Sequence, residues 1–383
     1  VRIALLPSAF APSVGGVEVL SARLAVNLRR AGHDVEIWTA SRQQDDLPRV
    51  EVLDGLAVRR FVFPLPRASA GAALRWPAEA VAAYRELAAA ARAFRPDLLH
   101  VQCFSAQGVY AAALSRRLRR PLVVSLQGET VMDDQDIYDS SVAMRTALRI
   151  GVRQAAAVTG CSQFTLDDSI RRFGLSPAKS QVIFNGVDVD EAPRAEVALP
   201  FDRFVLGLGR VVHKKGFDLL LDAFAKVAPD RPDVGLVIVG GGAELDRLKD
   251  HARRLGLEER VFFPGPLGRG QVADVMHRAE VFVMPSRVEP FGIVALEGWR
   301  AGTPVVVTSR GGAGEFVQDG RTGRVVDPED TSALADAVAG LLDDPALRAS
   351  FAAAGRARLP EFSWDRLRAE YEKVYASAAA ARR

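Results

Sequence analysis

Two cysteines in 383 residues, Cys103 and Cys161, leave this chain without a disulfide framework, and neither has metal-ligand spacing to another cysteine or histidine. That usage suits a reducing compartment. No stretch approaches the ~18 consecutive apolar residues of a membrane span. The apolar start, Val1 to Leu6, is short, stops at Pro7 and lacks a small-residue cleavage site, so it reads as a first strand and not as a signal peptide. Charge of one sign is also scarce. Lys and Arg total 50 against 47 Asp and Glu, a net of +3, which excludes a nucleic-acid binder working by bulk charge. There is no repeat of solenoid length. The expectation is a cytoplasmic protein.

What is present is ordinary globular composition, 49% hydrophobic and 25% charged. A chain this long exceeds one core, so two domains are expected. Strand and helix patterns alternate. Ile3 to Leu6 reads as a strand, Glu18 to Ala31 as a helix and Asp34 to Thr39 as a strand. Ala78 to Phe94 is helical. Leu98 to Val101, Leu122 to Leu126, Ala155 to Thr159 and Gln181 to Ile183 are strands. A turn at Asn185-Gly186-Val187-Asp188 and a looser stretch with Pro193 and Pro200 follow. Phe204 to Gly209, Gly235 to Val239, Arg260 to Phe263, Val281 to Ser286 and Thr303 to Val307 then form a second series. Alternation of this kind means parallel sheets covered by helices on both faces. The expected fold class is α/β, with two Rossmann-like, doubly wound domains at 1–186 and 187–363 and an interdomain cleft. A last helix over 364–383 is expected to cross back to the first domain.

The richest segment is Val288-Glu289-Pro290-Phe291-Gly292-Ile293-Val294-Ala295-Leu296-Glu297. Phe291-Gly292 opens a helix through Ile293 and Val294. A helix start offers unpaired N–H groups and a positive dipole end, which suit the oxygens of a phosphate or a sugar. Glu289 in the entering loop and Glu297 about two turns later can face one cleft. Carboxylates accept the paired hydrogen bonds that vicinal hydroxyls offer. Alone, the two read more readily as a solvated loop Glu and a capping Glu. The strands on either side place them at the carboxyl end of a strand, where open α/β sheets bind ligands.

Other strand ends carry comparable signals. Arg210 and Lys215 flank a loop entering the helix near Phe217, a natural clamp for a pyrophosphate, or an exposed basic loop. Gly15-Gly16 follows the first strand, where a ligand oxygen can approach the backbone, or a turn needs positive φ. No third glycine completes the dinucleotide fingerprint, which disfavours a dehydrogenase. Gly240-Gly241-Gly242 repeats the device. In Phe262 to Leu267, backbone groups near Gly265 and Leu267 line a base pocket, or aromatic residues simply pack a loop. Gln127 and Glu129 end a strand of the first domain and are suited to orienting an acceptor. The acidic run Asp133-Asp134-Gln135-Asp136 reads as a solvated loop in preference to a metal site. Arg116-Arg117-Leu118-Arg119-Arg120 is basic. Arg145, Arg149 and Arg153 form one cationic helix face, able to rest on anionic lipid or grip an anionic acceptor, or an ordinary solvated face.

Taken in order, Gly15-Gly16-Val17-Glu18, Asn185-Gly186-Val187-Asp188, Arg210 to Lys215-Gly216 and Glu289 to Glu297 resemble the retaining nucleotide-sugar glycosyltransferases of family 4, with the two-domain GT-B architecture. The resemblance spans nearly the whole chain. It implies that Arg210 and Lys215 neutralise the donor diphosphate and that Glu297 binds the ribose. Glu289 would contact sugar hydroxyls. The N–H groups near Phe291, Gly292 and Ile293 would steady sugar and phosphate, and Gly16 would approach the diphosphate from the other domain. Gln127 stands where the family usually carries His. It can hydrogen-bond a sugar hydroxyl but cannot act as a base at neutral pH. The implied reaction moves a hexose from a UDP- or GDP-sugar to a hydroxyl acceptor, with no metal or other cofactor and no nucleic-acid partner. Weak peripheral contact with the inner membrane face would run through the basic first-domain surface. An epimerase or hydrolase on the same scaffold, or a silent nucleotide-sugar-binding subunit, are the alternatives.

Overall fold

Runs of Val, Ile and Leu closed by Gly or Pro become strands, because branched side chains fit a pleated surface covered on both faces. A computed structural model describes all residues except 14, 42–46, 67–69, 134–135, 191–194 and 381–383, with no side chains at 70–74. Val14, Asp134, Gln135 and Pro193, each within a segment singled out above, lie outside the described residues. The chain divides into two units, Val1–Gly186 with Trp364–Arg383, and Val187–Ser363.

The first unit holds an eight-stranded sheet of Arg2–Pro7 (β1), Asp34–Ala40 (β2), Val50–Leu53 (β3), Leu56–Phe61 (β4), Leu98–Gln102 (β5), Leu122–Leu126 (β6), Ala157–Gly160 (β7) and Ser180–Val182 (β8), in the order β3-β4-β2-β1-β5-β6-β7-β8. The second holds six strands, Arg203–Leu208 (β9), Val234–Val239 (β10), Val261–Gly265 (β11), Val281–Met284 (β12), Val305–Thr308 (β13) and Arg324–Val326 (β14), in the order β11-β10-β9-β12-β13-β14. Pairing is parallel except at one edge. There β3 runs antiparallel to β4, with Leu53 opposite Leu56. The reason is local: Asp54 and Gly55 have φ of 48° and 77°, the left-handed pair that closes a two-residue hairpin. The sequence reading passed over β3, β4 and β14.

Alternate residues along each central strand feed opposite faces. In the first unit Leu6, Trp38, Leu99 and Val124 pack with Leu87, Phe104, Leu114 and Leu148. On the other face Leu5, Ile37 and Val123 pack with Leu20, Leu24 and Leu28, and with Leu367, Tyr371 and Val374 of the last helix, Trp364–Ala380. Each fully buried Leu or Phe contributes about 1.5–3 kcal/mol relative to exposure. The last helix also anchors by polar contacts. Tyr375 Oη lies 2.8 Å from His100 Nδ1, and Tyr371 Oη lies 3.0 Å from Ser125 Oγ. Burial lowers the His100 pKa to about 3, so the ring is neutral. In the second unit Val205, Leu236, Val281 and Val306 pack with Phe217, Leu220, Phe224, Val338 and Leu341. Helices begin where side chains cap them: Ser162 accepts from Thr165 N, and Asp330 from Ser332 N and Ala333 N.

Strand order reverses between β1 and β5 in one sheet and between β9 and β12 in the other. Such switch points open a crevice at the strands' carboxyl ends.

Candidate active site

Two loops leave the carboxyl ends of β9 and β12 side by side. The first runs Gly209 to Gly216 into the helix Phe217–Val227. The Gly240–Gly242 turn after β10 holds it: Val211 N donates to Gly241 O at 2.9 Å, and Glu244 N to Val211 O at 3.0 Å. Arg210 is exposed at its start and Lys215 half-buried near its end. The second loop runs Pro285 to Gly292. Arg287 joins the two, donating to both Asp218 carboxylate oxygens at 2.8 and 2.7 Å and to His213 O at 2.9 Å. Burial pushes the Asp218 carboxyl up, but Arg287 outweighs it and holds the group below the usual carboxylate range.

Glu289 is 7% exposed. Lys215 Nζ donates to its Oε2 at 2.6 Å, and Ser286 Oγ to the same atom at 3.2 Å. A third loop, after β13, clasps its backbone. Glu289 N donates to Arg310 O at 3.0 Å, and Gly312 N to Glu289 O at 2.8 Å. Gly311, at φ 144°, lies so close that a Cβ there would overlap the Glu289 carbonyl oxygen. Sequence reasoning missed Ser286 and the Arg310–Gly312 clasp. The Gly-Gly pair after a strand was the available signal, as it was at Gly15-Gly16.

The helix Ile293–Ala301 starts where the sequence placed it. Gly292 is its N-cap at φ 89°, and the Met284 side chain fills the space a Cβ would need. Ile293 and Val294 occupy its first turn, where N–H groups lack intrahelical acceptors and the dipole end is positive. Phe291 beneath is 3% exposed, its ring 4.8 Å from that of Phe316. Glu297 is half-buried on the next turn. Gly265 ends β11, its carbonyl accepting from Gly240 N at 3.0 Å, and Leu267 follows it half-buried. Arg210, Lys215, Glu289 and the helix start therefore gather at the β9/β12 switch of one unit.

In the first unit the predicted residues also sit at strand ends. Gly15 is the N-cap of the helix Gly16–Arg30, with φ −168°, extended backbone open to any residue. The expectation of a turn needing positive φ is corrected there. Gln127 Nε2 donates to Gln102 Oε1 at 3.2 Å, and its Oε1 accepts from Asn185 Nδ2 at 3.0 Å. Glu129 differs from its expected place facing an acceptor. It is 8% exposed and accepts from Phe104 N at 2.6 Å and Gln127 N at 2.7 Å. Burial raises its pKa to about 7 against the pull of those N–H groups. It holds the turn that presents Gln127. Asp133 accepts from Ile137 N at 2.6 Å, starting a helical turn. Among the described residues no group of three or more His, Cys, Asp or Glu is placed to hold a metal ion. No helix among them is long and apolar enough to cross a membrane.

Comparison with known proteins adds an independent line. The model of the family "Glycosyltransferase Family 4" matches residues 14–191, and that of "Glycosyl transferases group 1" matches 189–358. The D-inositol 3-phosphate glycosyltransferase of Streptomyces scabiei is 32% identical over 389 residues, covering 95% of this chain and 86% of that protein. Among solved structures, sucrose-phosphate synthase from Thermosynechococcus elongatus superposes with a TM-score of 0.79 at 25% identity, covering 99% of both chains. The Anabaena protein HepE in complex with UDP-glucose gives 0.75 at 24%, over 98% of this chain and 99% of that one. The chain belongs to glycosyltransferase family 4, with two parallel-sheet α/β domains of the GT-B type.

Proposed function

We propose that the protein transfers a hexose from a nucleotide-diphosphate sugar to a hydroxyl acceptor with retention at the anomeric carbon and without a metal ion. The observation that carries this reading is the Lys215–Glu289 pair, 2.6 Å apart at the switch point of the second sheet, beside the start of the helix Ile293–Ala301. The binding of UDP-glucose by HepE supports a nucleotide-sugar donor.

Each side chain has an assigned part. Arg210 and Lys215 take the diphosphate, Glu297 the ribose, Glu289 the sugar hydroxyls. The N–H groups of Phe291, Gly292, Ile293 and Val294 hold sugar and phosphate oxygens. Backbone groups at Gly265 and Leu267 take the base. Gly15 and Gly16 admit a donor oxygen close to the helix start. Gln127 orients a hydroxyl, and Glu129 acts through it as a positioning residue. In the reaction the bond from the anomeric carbon to the phosphate oxygen breaks, with its electron pair leaving on the diphosphate. The acceptor oxygen bonds to the same face of that carbon, and its proton passes to the departing phosphate oxygen. Arg210 and Lys215 stabilise the growing negative charge more than the bound donor, which is what accelerates the step. The two cations supply the charge a metal would otherwise bring.

Thermal-shift screening against UDP, GDP and their sugars tests the donor, since a bound ligand raises apparent stability. The expected result is a rise with one nucleotide family. Incubation with donor alone separates transfer from epimerisation or hydrolysis, and NMR of the product linkage reads its anomeric configuration. Turnover should persist in excess chelator. A strict requirement for manganese or magnesium would overturn the metal-free mechanism.

A further inference from the structure

On the face of the first sheet that the last helix covers, the central strands turn from apolar to polar towards their carboxyl ends. Alternation puts Leu98, His100 and Gln102 of β5 on that face, with Val123 and Ser125 of β6, Gln127 just beyond it, and Thr159 of β7. His100, Gln102, Ser125 and Thr159 are buried, as is Asn185 beyond β8. Buried polar groups are costly unless paired, and these are chained. Asn185 Nδ2 donates to Gln127 Oε1 at 3.0 Å, Gln127 Nε2 to Gln102 Oε1 at 3.2 Å, and Gln102 Nε2 to Tyr371 Oη at 3.4 Å. Tyr371 Oη meets Ser125 Oγ at 3.0 Å, and Ser125 Oγ meets His100 Nε2 at 2.7 Å. Every member lies in the first unit.

Of the three amides, only that of Gln127 belongs to a residue that is not fully buried. It is held from both sides, its carbonyl against a donor and its NH2 against an acceptor. Turned over, it would set oxygen against Gln102 Oε1 and NH2 against the Asn185 NH2. The amide therefore turns only if Gln102 and Asn185 turn with it. Nε2 carries a second N–H besides the one given to Gln102, so a ligand reaching Gln127 meets a hydrogen-bond donor of set direction. Asn185 shows what the arrangement is for. Its Oδ1 is buried and has no donor among the described residues. A leucine of similar size would fill the same space without stranding an acceptor. What asparagine supplies and leucine cannot is the N–H to the Gln127 carbonyl.

We propose that Asn185 and Gln102 are positioning residues for the transfer, locking the Gln127 amide so that it meets a substrate oxygen as a donor. This rests on the reading that Gln127 orients a substrate hydroxyl. Gln127→Ala should lower kcat/KM for transfer by about 10-fold, and Asn185→Leu by about 3–10-fold, the worth of one neutral hydrogen bond. In the Gln127→Ala background Asn185→Leu should cost nothing further, whereas a purely structural role would cost the same in both. Asn185→Asp keeps the shape but can only accept, so it draws the Gln127 NH2 to itself and turns the amide. Transfer should fall as far as in Asn185→Leu although a hydrogen bond is kept. Gln102→Met serves as the second variant where Asn185→Leu melts too low to assay. One readout needs no turnover. In 15N–1H spectra of the free protein the Gln127 NH2 pair is assigned by its loss in Gln127→Ala, and Asn185→Leu and Gln102→Met should both shift it. A fall in transfer in Gln127→Ala with none in Asn185→Leu or Gln102→Met overturns the proposal and leaves the part of Gln127 standing. So does wild-type transfer in Asn185→Asp, additive losses in the double variant, or an NH2 pair that does not move. Unchanged transfer in Gln127→Ala overturns the part given to Gln127 itself, and the proposal with it.

Discussion

Lys215 donates to Glu289 at 2.6 Å, 74 residues away in sequence, and the pair is largely shielded, with 16% and 9% of the two side chains exposed. The contact joins the loops after β9 and β12 and fixes the position of the ammonium. Under the proposed function, a diphosphate bound beside it would compete for the ammonium and leave Glu289 an acceptor for sugar hydroxyls.

Lys215→Ala should therefore cost both activity and stability. Loss of a cation acting on developing charge lowers kcat by about 10²–10³-fold. It also leaves Glu289 buried with Ser286 as its remaining side-chain donor among the bonds described, and an unpaired buried charge destabilises. Lys215→Met with Glu289→Gln should recover most of the melting temperature and none of the activity. Arg210→Ala, at an exposed position, should lose activity with little change in melting. Near-normal turnover in both single variants would remove the clamp from the mechanism.

Two glycines should respond in opposite ways. Gly311→Ala forces a left-handed backbone onto Ala and drives a methyl against the Glu289 carbonyl, so unfolding should become easier by roughly 1–3 kcal/mol or more. Gly15→Ala meets neither difficulty, since its backbone is extended and the near neighbour is the movable Glu18 carboxylate. The fold should survive, and the donor should bind less well if the glycine serves a ligand. Isothermal titration with the donor nucleotide and denaturant unfolding separate the two effects. Equal donor affinity in Gly15→Ala would leave that glycine a plain helix N-cap with no part in donor binding.

The parts of the molecule that were legible beforehand are those fixed by local chemistry. The apolar runs of β1, β5, β6, β10 and β12 are long enough and sharply enough closed to read directly. So is the start of the helix at Ile293, because Gly292 accepts a left-handed φ. What stayed hidden depends on partners far along the chain. β14 has three residues, Arg324–Val326, and is a strand because β13 lies beside it. The Asp54-Gly55 hairpin was a local signal left unused. Glu129 looked like a ligand-facing carboxylate because nothing in its neighbourhood announces that Phe104, 25 residues earlier, would supply an N–H to it. Ser286 and Gly311 matter only through Glu289, and that dependence exists only once the three loops are folded together.

Tyr371→Phe tests how the last helix is fastened. Its hydroxyl meets Ser125 Oγ at 3.0 Å and Gln102 Nε2 at 3.4 Å in a fully buried setting. Removing the oxygen keeps the ring's packing and leaves those two groups short of a partner. The expected loss is about 1–2 kcal/mol, seen as a lower denaturant midpoint with an unchanged slope. Because Gln102 also accepts from Gln127, kcat should fall modestly if Gln127 orients a hydroxyl. An unchanged midpoint would show that the hydroxyl contacts do not secure the helix.

Glu129 makes stability depend on pH in a direction opposite to that of most carboxylates. Burial raises its folded pKa from 4.5 to about 7. Below pH ~4.5 it is protonated in both states, and its contribution is fully present. Between ~4.5 and ~7 the unfolded chain ionises while the folded one keeps its proton, so stability falls as pH rises, by on the order of a few kcal/mol at most. Above ~7 the loss is complete and the curve flattens. Glu129→Gln removes the titration. Its amide must turn an NH2 towards Phe104 N or Gln127 N, so its baseline stability is lower. The difference between wild type and Glu129→Gln, measured by urea unfolding from pH 4 to 8, should shrink as pH rises through this window. A difference that stays constant with pH would mean the N–H groups of Phe104 and Gln127 outweigh burial and keep Glu129 ionised throughout.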